Sequence, residues 1–326
     1  MKALTLLSGG LDSILATKLV LDQGIEVLAV TFSLPFTAEK VDYASRIAER
    51  LDLHHVTVDV GTDYLEVIRN PKHGYGSGMN PCIDCRIYIL KEAKRIADEL
   101  GANIIVTGDV LGERPMSQHR KALALEEREA GLEGLILRPL SAKLLPPTIA
   151  EREGWIDREK LLSISGKSRK PQIALAKQYG LQDAYPAPAG GCLLTDKEFA
   201  AKVRDLFEHT ERVTNRDIQV LKLGRHFRVG VAKIIVGRNE RENSRLLALK
   251  MPNAYAFEVP DCGSPITIVE GACESETIRL AARLTARYAD DRSDLVAVDY
   301  WRETEGPRRR ITVSPLEDDE VDRLRI

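Results

Sequence analysis

Six residues near the start of the chain, Ser8-Gly9-Gly10-Leu11-Asp12-Ser13, stand between an apolar strand at Ala3–Leu7 and an apolar helix expected from about Asp12 to Gln23. A buried strand that breaks into paired glycines and re-forms as a helix is the opening unit of a parallel α/β sheet. Ligands on such sheets bind outside the carboxyl ends of the strands. Ser8, Gly9 and Gly10 let backbone N–H groups converge on an anion at the positive end of the helix, with no Cβ in the way at the glycines. Asp12 and Ser13 fall in the first turn, where they can cap free N–H groups, and the Ser13 hydroxyl can reach a phosphate. The loop has no lysine of the kind that grips a transferable γ-phosphate, which moves the expected bond cleavage towards the α-phosphate. A second match, Gly166-Lys167-Ser168, lacks a glycine five residues earlier, where Leu161 stands, and reads as a basic surface loop.

The strand–helix alternation continues for about 140 residues. Strands are expected at Glu26–Phe32, in HHVTVDV, in NIIVTGD and in GLILRPL; helices are expected in AEKVDYASRIAERLDL and CRIYILKEAKRIADELG. Residues 141–209 read as an accessory helical region, and from Thr210 short strands with glycine turns replace the earlier pattern. The expectation is a domain at 1–209, with a parallel sheet covered by helices on both faces, and a smaller α+β domain at 210–326. With 326 residues, 44% of them hydrophobic, the chain can bury two cores. No apolar run reaches bilayer length and no signal peptide is evident, so a cytoplasmic protein without membrane contact is expected. A net charge of −2 means that any nucleic-acid contact must rest on a local patch.

Five cysteines without a secretion signal point to metal, cluster or thiol chemistry rather than disulfides. Cys82 and Cys85 lie three apart at a helix start, where the dipole favours thiolates. Cys192 sits in a proline- and glycine-rich turn, PAPAGGCLL. Cys262 and Cys273 have no chemistry around them. Three thiolates suit a cluster with one iron left open. A persulfide resolved by disulfide formation is a second reading of the same residues. A zinc site would want a fourth ligand, and neither His73 nor His119 lies near a matching motif.

The stretch SGGLDS resembles the PP-loop of the ATP pyrophosphatase superfamily. That resemblance implies a Rossmann-like sheet of the adenine nucleotide alpha hydrolase type, ATP at Ser8, Gly9, Gly10, Asp12 and Ser13, and adenine around Thr31, Phe32 and Ser33. It also implies Mg²⁺ and transfer of AMP to an oxygen with release of pyrophosphate. The segment Asn80–Asp109 resembles the cysteine-bearing segment of tRNA 2-thiouridine synthases, and Thr107–Gln118 resembles the matching segment of 4-thiouridine synthetases. The trio Cys82, Cys85 and Cys192 resembles the pattern of tRNA thiolases that hold a [4Fe-4S] cluster. The resemblance covers roughly the first 200 residues. It implies catalytic roles for these cysteines and Asp12, with Gly108 in the nucleotide site. Asp109, at the strand end, is expected to bind Mg²⁺ or orient the base.

Lys222, Arg225, Arg228, Lys233 and Arg238 form a basic stretch with no acid among them, and Arg308–Arg310 adds three more cations. Period-two placement would line several on one strand face for phosphate contacts. The surrounding segment resembles the RNA-binding domain of NFACT proteins. The combined expectation is an ATP-dependent tRNA uridine sulfurtransferase. Its partners would be tRNA and a sulfur donor, either sulfide or a cysteine desulfurase persulfide, with homodimerisation left open. Two competing readings remain: a PP-loop enzyme acting on a small molecule, and a non-catalytic nucleotide-sensing RNA binder.

Overall fold

The computed structural model describes residues 1–37, 42–187, 191–303 and 306–326. The chain forms two compact units, Met1–Thr195 and Asp196–Ile326.

In the first unit, β1 (Lys2–Leu6), β2 (Glu26–Ser33), β3 (His54–Asp59), β4 (Ile104–Val106) and β5 (Ile136–Leu137) form a sheet in the order β3-β2-β1-β4-β5. Every pairing in it is parallel. The connecting helices are α1 (Leu11–Leu21), α2 (Tyr43–Arg50), α3 (Asp63–Arg69), α4 (Cys82–Leu100), α5 (Arg120–Ala130), α6 (Ile149–Arg152) and α7 (Lys170–Gln178). The helix expected from Ala38 starts at Tyr43, and residues 38–41 lie outside the described residues.

Side-chain alternation on the strands explains the layers. Ala3 packs with Ala16 and Val20 of α1, while Leu4 faces the other way, onto Leu90 and Ala93 of α4 and Ala130 of α5. Ile104 and Ile105 divide in the same manner. The sheet is therefore covered on both faces, as the apolar runs of its strands require. Truncating a fully buried residue such as Leu4 or Leu90 to alanine would cost about 2–5 kcal/mol.

The second unit opens with α8 (Lys197–His209) and α9 (Asn215–Leu221). It continues with β6 (Arg225–Val229), β7 (Ala232–Val236), α10 (Glu240–Ala248), β8 (Tyr255–Glu258) and β9 (Thr267–Glu270). It ends with α11 (Ser275–Arg287), β10 (Val296–Trp301), β11 (Arg309–Val313) and α12 (Asp318–Leu324). The six strands pair antiparallel in the order β11-β10-β8-β9-β7-β6. One face carries Phe227, Ile234, Phe257 and Val298 onto Ala281 and Leu284 of α11; the other carries Ile235, Ala256 and Ile268 onto Val220 and Leu246.

Two expectations change here. The units divide at Thr195, not at 209, so α8 belongs with the strands that follow it. Asp196 caps α8 by accepting from the Phe199 N–H at 2.8 Å, and Asp205 on this helix takes a bidentate grip from Arg228. The stretch DIQVL is helical rather than strand. A capping box at Thr214 and Asp217 starts the helix and outweighs the local apolar alternation.

Candidate active site

The opening loop leaves β1 at Leu6 and enters α1 at Leu11. Gly9 has φ +70°, and a Cβ there would lie 2.9 Å from Ala44 N and Tyr43 Cβ, so the start of α2 presses against the loop. The Ser13 hydroxyl donates to Gly10 O at 2.9 Å and accepts from the Ser8 N–H at 3.2 Å, which ties the two ends of the loop together. Gly108 follows β4, and a Cβ on it would stand 2.4 Å from Ser13 N. Its smallness is what lets the strand end touch the first turn of α1. Asp12 is pushed above the usual carboxylate range by burial, while the charges of Arg169 and Arg114 oppose the shift. Its Oδ1 is buried without a hydrogen-bond partner, as are both amide atoms of the fully buried Gln172 on α7.

Residues Thr31, Phe32 and Ser33 differ from one another. The Thr31 hydroxyl donates to Leu7 O and lies 2.8 Å from His55 Nε2, so it braces the strand ends. Phe32 packs on the α4 side of the core. Ser33 alone is exposed, at the carboxyl end of β2.

Asp109 has a different occupation from the expected one. One of its carboxylate oxygens accepts from the Thr107 hydroxyl at 2.7 Å and from Arg86, and the other accepts from Gln118 Nε2 at 3.1 Å. Arg138 Nε stands 3.6 Å away. Burial would raise its pKa, but Arg86 and Arg138 outweigh burial and hold it at about 2. Both oxygens are committed to a buried network, so neither is directed at a metal or a base.

Cys82 and Cys85 occupy the first turn of α4, behind Pro81. The Asp84 carboxylate between them accepts from the N–H groups of Lys72 and His73, at 3.0 Å each, and pins the preceding segment to the helix start. Cys192 is brought to this pair by backbone. Thr37 bridges to Cys192, the Leu193 N–H donates to Phe36 O at 2.8 Å, and the Met79 N–H donates to Leu194 O at 2.9 Å. The loop is thereby stitched to the segment after β2 and to the residue three before Cys82. The first part of its turn, residues 188–190, lies outside the described residues.

The three sulfurs are close enough to raise the cost of one another's ionisation. Burial pushes Cys85 up to about 11, with Cys192 and Cys82 adding to it, and burial also raises Cys192. All three cysteines are free thiols. Among the described residues, no group of three or more His, Cys, Asp or Glu side chains is gathered tightly enough for one metal ion. The two histidines weighed as a fourth ligand are engaged elsewhere. His73 lies 3.2 Å from Glu129, and His119 caps α5 by accepting from the Ala122 N–H.

In the second unit, acids from other elements meet the basic stretch. Arg228 pairs with Asp205 at 2.8 and 2.6 Å, and Lys233, only 7% exposed, lies 3.3 Å from the same carboxylate. Arg238 is paired with Glu242 at 2.6 Å, and the Arg225 guanidinium stacks on Tyr288 at 4.4 Å. Lys222 ends α9 and is half-buried. The expected cationic stripe is thus largely neutralised inside the fold. On the opposite edge, Arg308 stacks on Trp301 at 4.3 Å and pairs with Glu258, Arg310 pairs with Asp299, and Arg309 is exposed.

Residues 1–143 match the family described as Thiamine biosynthesis protein (ThiI), and residues 224–325 match the NFACT protein RNA binding domain. The first match falls within the unit Met1–Thr195 and the second within the unit Asp196–Ile326. It is 28% identical over 255 residues to the tRNA-specific 2-thiouridylase MnmA of Xanthobacter autotrophicus, covering 72% of this chain and 61% of that protein. It is also 28% identical over 196 residues to a protein of Methanothermobacter thermautotrophicus named "Probable tRNA sulfurtransferase", covering 59% and 43%. The chain therefore spans less than two thirds of the length of these curated relatives. Among solved structures it is similar to a 4-thiouridine synthetase–RNA complex with bound ATP, at 22% identity and a TM-score of 0.41, covering 68% of this chain and 52% of that one. Among the described residues, no helix is long and apolar enough to cross a membrane.

Within the first unit, several side chains around the site escape a reading of sequence. Tyr64, on α3, places its hydroxyl 3.1 Å from Cys85 Sγ, and Asn80 Nδ2 donates to Cys82 Sγ at 3.2 Å. Gln172, Arg114 and Arg169 surround Asp12. No motif marks Tyr64 or Gln172. Only the neighbour of a CxxC, such as Asn80, could have been suspected from spacing.

Proposed function

We propose that this chain is an ATP-dependent tRNA uridine sulfurtransferase. The observation that carries the reading is the stitching of the Cys192 loop, through Phe36 and Met79, onto the Cys82–Cys85 helix start in the domain that holds the SGGLDS loop. A nucleotide-activating loop and three thiols on one parallel sheet suit the exchange of oxygen for sulfur.

The uridine carbonyl oxygen attacks the α-phosphorus of ATP, the bond to pyrophosphate breaks, and the base becomes an adenylate. The N–H groups of Ser8 to Gly10, the Ser13 hydroxyl and the start of α1 hold the phosphates and spread the charge of the departing pyrophosphate. Arg114 and Arg169 add positive charge beside Asp12. A sulfur nucleophile then attacks the activated carbon, the carbon–oxygen bond to AMP breaks, and 2- or 4-thiouridine remains. Sulfide supplies the sulfur directly; if it arrives as a cysteine desulfurase persulfide carried on one cysteine, a second cysteine thiol must break the S–S bond to release the thiouridine, leaving a disulfide that an external thiol reductant reopens. Because bases are read unstacked in RNA, the NFACT-type domain serves to hold the tRNA.

The residues fit two cofactors. The unpartnered Asp12 Oδ1 is a natural oxygen ligand for Mg²⁺ or its water. The three free thiols, gathered by the backbone contacts of the Cys192 loop, are soft ligands of the kind that would hold a [4Fe-4S] cluster. When bound, that cluster would supply an open iron site for sulfur.

The test is to purify the protein without oxygen, record its absorption, and incubate it with ATP, sulfide and unmodified tRNA before nucleoside analysis. The expected result is a thiouridine that depends on ATP and is lost in Cys82→Ser, Cys85→Ser or Cys192→Ser. A thiolated product that forms without ATP, or none with any tRNA, overturns the proposal.

A further inference from the structure

Each sulfur of the trio has a hydrogen-bond partner of its own, and neither side-chain partner belongs to the CxxC motif. Asn80 Nδ2 donates to Cys82 Sγ, the Tyr64 hydroxyl meets Cys85 Sγ, and the Leu194 backbone faces Cys192. The two side chains are themselves held in place. Tyr64 is 3% exposed, and its ring lies 5.2 Å from that of Tyr88 on α4. Asn80 Oδ1 accepts from the Gly78 N–H at 3.1 Å, and its carbonyl accepts from the Gly76 N–H at 2.9 Å. A Cβ on Gly76 would come 2.3 Å from Asn80 Nδ2, so the glycine leaves room for the amide.

A neutral thiol is a weak acceptor, whereas a ligated thiolate accepts only, so a phenol or amide at this distance must then donate to it. Donation to a ligating sulfur orients it and draws off part of its negative charge, which favours the reduced state of the group it holds.

We infer that Tyr64 and Asn80 are positioning residues of the sulfur centre, aiming Cys85 and Cys82 and making the group they ligate easier to reduce. This rests on the trio being the ligand set proposed above.

The test reconstitutes the full chain anaerobically with iron and sulfide, then measures the reduction potential and the iron–sulfur stretching frequencies by resonance Raman. Tyr64→Phe keeps the ring against Tyr88 and removes only the hydroxyl; Asn80→Ala removes the second donor independently. Each variant is expected to assemble the cluster, with a more negative potential and higher iron–cysteine stretching frequencies than wild type. Variants that assemble it with wild-type potential and frequencies refute the inference and leave the ligand set standing. A wild type that assembles no cluster removes the ligand set itself, and this inference with it. Should one variant fail to fold, the other decides alone.

Discussion

Replacing Glu126 with glutamine tests whether the buried charge network behind α4 stores a proton. Glu126 lies on α5, is 0% exposed, and neither of its carboxyl oxygens has a hydrogen-bond partner. Its nearest cation, Arg86, stands 3.9 Å away and is already bound to Asp109. Burial is the main cause that pushes Glu126 up to about 8 from an ordinary value of 4.5; Arg86 opposes it and the Asp109 carboxylate adds to it. A carboxyl whose folded value lies above its unfolded one contributes stability that is complete below 4.5 and is lost as pH rises through about 8. At about 1.4 kcal/mol per pH unit, the wild type loses roughly 2 kcal/mol through this group between pH 6 and pH 8.

Glu126→Gln cannot ionise, so its stability carries no such slope. The two proteins should converge at acid pH, and the variant should be the more stable by roughly 4 kcal/mol at pH 8. Urea unfolding at a series of pH values, with hydrogen exchange of peptides from 120–130 to localise the effect, measures the difference. Other titrating groups cancel in the comparison. A difference that stays constant from pH 6 to pH 9 would refute the argument that burial keeps this proton bound.

Four further substitutions test the same geometry. Asp109→Asn leaves Arg86 and Arg138 without their shared carboxylate and should cost about 3–5 kcal/mol in urea unfolding at neutral pH. The folded Asp109 value of about 2 lies below 3.8, so its contribution is present above 3.8 and the gap to the variant should close as pH falls through about 2. Gly108→Ala drives a methyl to 2.4 Å from Ser13 N, so it should lower stability by about 1–3 kcal/mol and abolish the thermal shift given by ATP. Arg228→Ala should destabilise the second unit by roughly 3–5 kcal/mol. Arg309→Ala should leave stability unchanged and reduce the salt slope of tRNA binding by about one; the reverse pattern would restore Arg228 as a phosphate contact.

Local features of the sequence account for much of this molecule. Paired glycines after a five-residue apolar strand set the turn into α1, Gly101 ends α4, and a period-two alternation divides Ala3 from Leu4 between two cores. These are short-range consequences of steric freedom and side-chain direction, so they can be read residue by residue. Cys82 and Cys85 at a helix start were legible for the same reason. The kinship of Cys192 with them was suggested by resemblance alone, since more than a hundred residues separate the two loops.

What the sequence by itself determined is the strand–helix alternation of the first unit, the glycine turn after β1 and the position of the thiol pair on a helix end. Tertiary structure decided who faces whom. It carried Asp205 from α8 onto Arg228 and Lys233, and so closed a basic stretch that has no acid of its own. It set Arg86 and Arg138 on Asp109 and left Tyr64 against Cys85. Charge pairing and sulfur contacts depend on distance in space, and a chain that folds back on itself makes neighbours of residues that sequence spacing keeps apart.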